Sequence, residues 1–122
     1  MKTQSNPGDK KNLVVTKAVA RIALQWGLSN DELGSIIGVS APSISRLKAS
    51  SKVLHGKEVE LGLLLVRVYR SLDAILGGNT INIRKWLESY NDHLCGTPRD
   101  LLKNTEGLVN VVRYLDAMRG KI

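Results

Sequence analysis

Apolar residues recur along this chain at three- and four-residue intervals, and no segment alternates at period two, so the sequence reads as all-α. From Asn12 onward, Val19, Ile22, Ala23 and Trp26 form one stripe, Lys17, Arg21 and Gln25 form a polar line, and Gly27 ends the helix. Ser29-Asn30-Asp31-Glu32 has the form of a capping box, with Leu33, Ile36 and Ile37 following at helical spacing. Gly38 supplies a turn, Ser40 caps a third helix with Pro42 in its first turn, and Ile44 and Leu47 face inward. Lys57 to Leu76 predicts the longest helix, apolar on nearly every face from Leu61 to Val66 except at Gly62, and stopped by Gly77-Gly78. Asn79–Tyr90 carries Ile83, Trp86, Leu87 and Tyr90 on one side. Thr97-Pro98 opens a short helix with Leu101 and Leu102. The last helix runs from about Glu106 to Arg119 on a stripe of Leu108, Val111, Val112, Leu115 and Met118, with Gly120 just past its end. Residues 1–11, polar and broken at Asn6-Pro7-Gly8-Asp9, predict a mobile tail.

A chain of 122 residues is enough for one domain, or two very small ones sharing a core. Its 43% hydrophobic content excludes a disordered protein, and 4% aromatic content argues against an RNA module built on stacking. The single Cys95 excludes an internal disulfide. Met1–Asp9 lacks the apolar core of a signal peptide, and the charge-free stretch containing Gly34–Ser45 is too short and polar to span a bilayer. The expectation is a soluble, cytoplasmic protein. Of the net charge of +7, residues 1–56 carry +5 and residues 57–122 only +2. A basic front half suits a polyanion; a solubilising surface would look the same by charge alone.

The order of residues from Asn30 to Leu47 discriminates between them. A small Gly34 permits a close crossing, Gly38 a left-handed turn, Val39 plugs the corner, and Ile44 and Leu47 anchor the second helix to the first. This segment resembles the helix-turn-helix of the Xre/Cro repressor class, whose common form reads close to Leu-Gly-Val-Ser followed by Ser-(Ile/Val)-Ser-Arg. The resemblance implies that the second helix enters the major groove of double-stranded promoter DNA. Ser40, Ala41, Pro42, Ser43, Ser45, Arg46 and Lys48 would lie on or beside the DNA, and Ser29 and Asn30 would meet phosphate through side chain and backbone amides. Arg46 suits a bidentate guanine contact. Ala41 and Pro42 leave little hydrogen-bonding readout, so modest specificity per half-site, and hence a second copy, is expected.

In the back half, Trp86-Leu87, Leu94, Gly96-Thr97-Pro98, Leu101-Leu102, Thr105, Gly107, Val111, Leu115 and Gly120 occur in an order that resembles the C-terminal toxin-binding domain of MbcA/ParS/Xre antitoxins. The chain departs from that pattern at Tyr90, where the family often has Pro, and in a tighter linker before Pro98. The resemblance implies a partner of the RES-domain class, an ADP-ribosyltransferase-like toxin that consumes NAD or transfers its ADP-ribose, blocked at its cleft by the antitoxin, with the complex binding its own promoter. The toxin-binding residues expected on this basis are Trp86, Tyr90, Arg113, Met118, Arg119, Gly120, Lys121 and Ile122, the last four forming a flexible cationic end able to enter a cleft for an anionic dinucleotide.

No catalytic, cofactor or metal motif stands out. His93 and Cys95 make too few ligands for zinc, and a loop histidine beside a partly buried thiol is expected instead. The chain reads as a binding protein rather than an enzyme, needing no cofactor. It divides into a tail (1–11), a helix-turn-helix domain (12–55), a connecting helix (56–76) and a toxin-binding domain (77–122). Leu61, Leu64, Leu65, Val68 and Leu72 are too many apolar residues for one face of a small domain, and predict a homodimer through the connecting helix. The alternative function is a stand-alone Xre/Cro-type repressor whose C-terminal half only dimerises. A third is a membrane-surface protein using the amphipathic segment from Lys10 to Trp26.

Overall fold

The computed structural model describes residues 7–120, which form seven α-helices in the order α1 (Pro7–Trp26), α2 (Asn30–Ile37), α3 (Ala41–Lys48), α4 (Lys57–Leu76), α5 (Thr80–Glu88), α6 (Pro98–Leu101) and α7 (Thr105–Gly120). Among the described residues the only β-type pairing is one antiparallel bridge between Asn91 and Gly96. The all-α reading holds. No helix among the described residues is long and apolar enough to cross a membrane.

Local chemistry sets most helix ends. Ser29 and Glu32 form the reciprocal capping box, each backbone N–H reaching the other's side chain at 3.1 Å. Ser40 and Asn79 cap α3 and α5 by accepting from Ser43 N and Asn82 N. Gly38 and Gly77 close α2 and α4 in the left-handed region, where a side chain would be strained. At the other end of the chain, α1 starts at Pro7, five residues earlier than the predicted tail boundary. A proline in the first turn loses no hydrogen bond and Asp9 complements the helix dipole, so these polar residues extend the helix without an apolar stripe.

The core lies along α4. Leu65 and Val68 are fully buried, and α1, α2, α5 and α7 all pack on this one helix. Gly62 makes the α1 crossing possible, since a Cβ there would come within 2.9 Å of Val15 Cγ1 and 3.3 Å of Val19 Cγ1. The apolar excess of α4 therefore has an intramolecular cause, which corrects the predicted dimer face. Leu61, Leu65, Val68 and Leu72 are buried in the chain's own core, and only Leu64 of that set remains half-exposed. Trp26 is buried at the α1 end against Tyr69, with ring centroids 6.0 Å apart.

Arginines of the back half complete the end of α1. That helix has no basic residue in its last turn, and its terminal carbonyls need donors. Arg84 donates from Nε and Nη2 to Gln25 O at 2.8 and 2.6 Å. Arg99 donates to Gly27 O at 2.8 Å and to Trp26 O at 3.4 Å, then continues to Glu32 with Nε and Nη2 at 2.9 and 2.8 Å. Lys103 adds a second cation 3.5 Å from Glu32.

The Arg99 guanidinium, with help from the Ser29 amide and Lys103, lowers the Glu32 pKa to about 2 against its opposing partial burial. Because the folded value is depressed, this contribution is present above the ordinary carboxylate value of 4.5 and disappears as pH falls through about 2. Both side chains retain some contact with water, so the clasp is worth about 1–2 kcal/mol at neutral pH. Thermal melts should show Arg99→Ala less stable at pH 7 and with a flatter acid limb between those two values. An unchanged acid limb would mean that Glu32 gains nothing from its partner.

Candidate functional site

Two separate surfaces carry the predicted site residues. On the first, α2 and α3 cross, with Ile44 and Leu47 buried beneath them. Gly34 sits at the tightest point, where an added Cβ would lie 2.3 Å from Val39 O. The outer side of α3 presents Pro42, Ser45, Arg46 and Lys48 to solvent, with Ala41 and Ser43 half-buried. Ser40, Ser43 and Arg46 form one hydrogen-bonded chain: Ser40 Oγ donates to Ser43 Oγ at 3.0 Å, and Arg46 Nη2 donates to Ser43 Oγ at 2.7 Å. This chain lays the guanidinium along the start of the helix while leaving it exposed.

Lys48 and Asn30, eighteen residues apart, meet where Lys48 Nζ donates to Asn30 Oδ1 at 2.6 Å. Beside them, Ser29 is only partly available. Its N–H is occupied by Glu32 Oε1, so the expectation that it offers its backbone amide to phosphate is corrected. Its hydroxyl accepts from Glu32 N and keeps its own proton for another acceptor. Two carboxylates lie in the first turn of α2, where they would repel phosphate; Arg99 and Lys103 offset the charge of Glu32, while Asp31 stays exposed. The back half thus contributes to the electrostatics of the front surface. Neither Arg84 nor Arg99 was predicted, and their contacts lie 59 to 73 residues away in sequence, beyond the reach of any periodicity.

The second surface lies on α5, α7 and the loop between α5 and α6. Trp86 is half-buried and stacks on Tyr114 of α7, centroids 6.4 Å apart and planes 19° apart, while the His93 ring meets Tyr114 at 5.5 Å. Tyr114, four residues before Met118 and so on the same helix face, is the member that periodicity missed. Tyr90 and Ile81 are two-thirds exposed nearby in sequence, and Arg113 and Met118 are also exposed. The tight Pro98–Gly107 segment depends on glycine: a Cβ on Gly107 would lie 2.1 Å from Leu101 O.

The expected loose cationic end is corrected in part. Helix α7 continues through Gly120, and Arg119 Nη1 donates to the buried Ser71 Oγ at 3.4 Å, so these two residues belong to the helix rather than to a free strand of chain. Lys121 and Ile122 lie outside the described residues. Cys95 is exposed, not partly buried, and holds a left-handed backbone at φ 55° in the turn closed by the Asn91–Gly96 bridge. Among the described residues, no three His, Cys, Asp or Glu side chains gather as a metal site requires.

Comparison with known families matches both halves of the chain. Residues 11–67 fit the antitoxin Xre-like helix-turn-helix domain, and residues 60–121 fit the antitoxin Xre/MbcA/ParS C-terminal toxin-binding domain. A search of curated proteins found no match. The two matched ranges overlap within α4, the helix on which both halves pack. With a helix-turn-helix in the basic half, an aromatic surface in the other, and family matches that together run from residue 11 to residue 121, the chain belongs to the Xre/MbcA/ParS antitoxins.

Proposed function

We propose that this antitoxin neutralises a RES-domain toxin by direct binding through α5, α7 and the intervening loop, and represses its own promoter through α2 and α3. The observation that carries the toxin half is the Trp86–Tyr114 stack, edged by His93, within a matched toxin-binding domain. Large rigid aromatics, with exposed Tyr90, Arg113 and Met118 close to them in sequence, give the mixture of apolar area and directional donors that anchors protein interfaces. The RES identity of the partner rests on the family resemblance. No catalytic role is assigned to the chain, and a cytoplasmic location follows from a partnership with promoter DNA.

The DNA half rests on the exposed Arg46 guanidinium, held at the start of α3, with Lys48 and Asn30 beside it. With Pro42 and Ala41 offering no side-chain donor, one copy reads few bases, and a dimer on two half-sites supplies the missing affinity. The dimer contact moves off the buried α4 residues; half-exposed Leu63, Leu64 and Val66, with exposed Val14 on α1, line one apolar groove that could take it.

Three measurements test these assignments. In co-expression with the RES-type protein from an adjacent reading frame, the exposed double variant Tyr90→Ala/Arg113→Ala should lose neutralisation, with complex affinity down about tenfold or more and melting temperature unchanged. Retained neutralisation would remove this surface from the interface and favour a repressor whose C-terminal half only dimerises. On promoter duplex, Arg46→Ala should weaken specific binding by about 5- to 150-fold and relax preference at one base position. A uniform loss across sequences would make Arg46 a phosphate contact. Light scattering at micromolar concentration should report a dimer; a monomer both free and on the operator would overturn the two-copy arrangement.

A further inference from the structure

Four cations from distant parts of the sequence converge beside the helix-turn-helix, and neither the base-reading surface nor the toxin-binding surface uses three of them. A shallow cleft of about 270 Å³ between α1, the end of α3 and the following loop is lined by Lys17, Arg21, Lys48 and Lys52, with no carboxylate among its lining residues. A second cleft, about 620 Å³, continues from it along α1 past Arg21 and Lys48 to Ser29. It too is lined by no carboxylate.

This gathering is built into the fold. Ser50 takes a left-handed φ of 64°, turning the chain back after α3, and Ser51 N closes the turn on Arg46 O at 2.8 Å. The buried Thr16 hydroxyl then accepts from Leu54 N at 2.9 Å while donating to Asn12 O at 2.7 Å, fastening the returning loop to α1. Lys17 follows Thr16 directly, so the same fastening brings Lys52 and Lys48 to the α1 cations. Lys52 is partly neutralised by Glu58 at 3.4 Å, and among the described residues Lys48 is held only by the neutral Asn30. Among the described residues, Lys17 and Arg21 have no ion-pair partner.

Concentrating like charge in an apolar-floored cleft is unfavourable unless a polyanion enters it. We propose that α1 grips the phosphodiester backbone of the DNA flanking each half-site, with Lys17 and Arg21 as phosphate contacts and Lys48 joining this track to the base-reading surface. The inference rests on the DNA-binding reading above and extends it. Backbone contacts of this kind add affinity without sequence information. They offset the poor readout available from Ala41 and Pro42, and they make the bound duplex longer than the segment that α3 can reach.

The experiment uses the full chain on promoter duplex, with affinity measured by fluorescence anisotropy between about 50 and 200 mM salt. Loss of two phosphate contacts per copy in Lys17→Gln/Arg21→Gln, four on the two-copy complex, should lower the slope of log K against log salt by about three to four. The ratio of operator to scrambled-duplex affinity should stay at the wild-type value, and the outer edge of the hydroxyl-radical footprint should disappear. Trimming the flanking base pairs should weaken the wild type and leave the double variant unaffected. Lys57→Gln/Lys85→Gln, which removes the same charge away from this track, should keep the wild-type slope, excluding a net-charge effect. Matched melting curves show that each variant is folded.

An unchanged slope and footprint in Lys17→Gln/Arg21→Gln, with Arg46→Ala still impaired, overturns the α1 grip and leaves the helix-turn-helix assignment standing. Equal slope losses in both double variants also overturn it, in favour of diffuse electrostatics. If the wild type binds no duplex, or binds single-stranded RNA more tightly at every salt, the DNA reading and this extension fall together.

Discussion

The middle of α4, apolar from Leu61 to Val66, requires neighbours on several sides, and it finds most of them within its own chain. The helix-turn-helix half and the toxin-binding half are each too small to bury a large core alone. Both lay their apolar faces on α4, so this one helix serves both at once. Gly62 permits this by letting α1 approach where any larger residue would collide with Val15 and Val19. The two functions of the family are thus carried on a common core.

That arrangement explains why the polar contacts between the halves are arginine-rich. The end of α1 leaves carbonyls exposed next to the back half, and a guanidinium can serve several acceptors from one fixed plane. Arg84 serves Gln25 O twice, while Arg99 divides its donors between the last carbonyls of α1 and the Glu32 carboxylate. Glu32 is itself half of the capping box that starts α2. One side chain from the back half therefore finishes one helix of the front half and steadies the beginning of the next.

Features governed by neighbours in sequence were legible before the structure. The capping residues Ser29 and Ser40, the proline start at Pro98, the glycine stop at Gly77 and the bounds of α4 all follow from local backbone chemistry. The exposed face of α3 was legible for the same reason, because inward Ile44 and Leu47 dictate what points outward. What escaped depends on long-range placement. Periodicity recorded that α4 was apolar all round, yet it held no information on whether its neighbours came from the same chain. Arg84, Arg99, Thr16 and Tyr114 become significant only once segments far apart in sequence are side by side. The start of α1 was missed because polar residues after Pro7 continue a helix without contributing an apolar stripe.

The Arg99 fork has a mechanical consequence. Its donors span from α6 to the last carbonyls of α1 and the first turn of α2, so a displacement of α6 cannot leave the helix-turn-helix unstressed. Any partner that prefers one setting of that fork changes the free energy of the other end of the molecule. Thermodynamic linkage then requires the influence to be mutual: whatever a ligand on the aromatic surface does to the affinity for a duplex, the duplex does by the same factor to the affinity for that ligand.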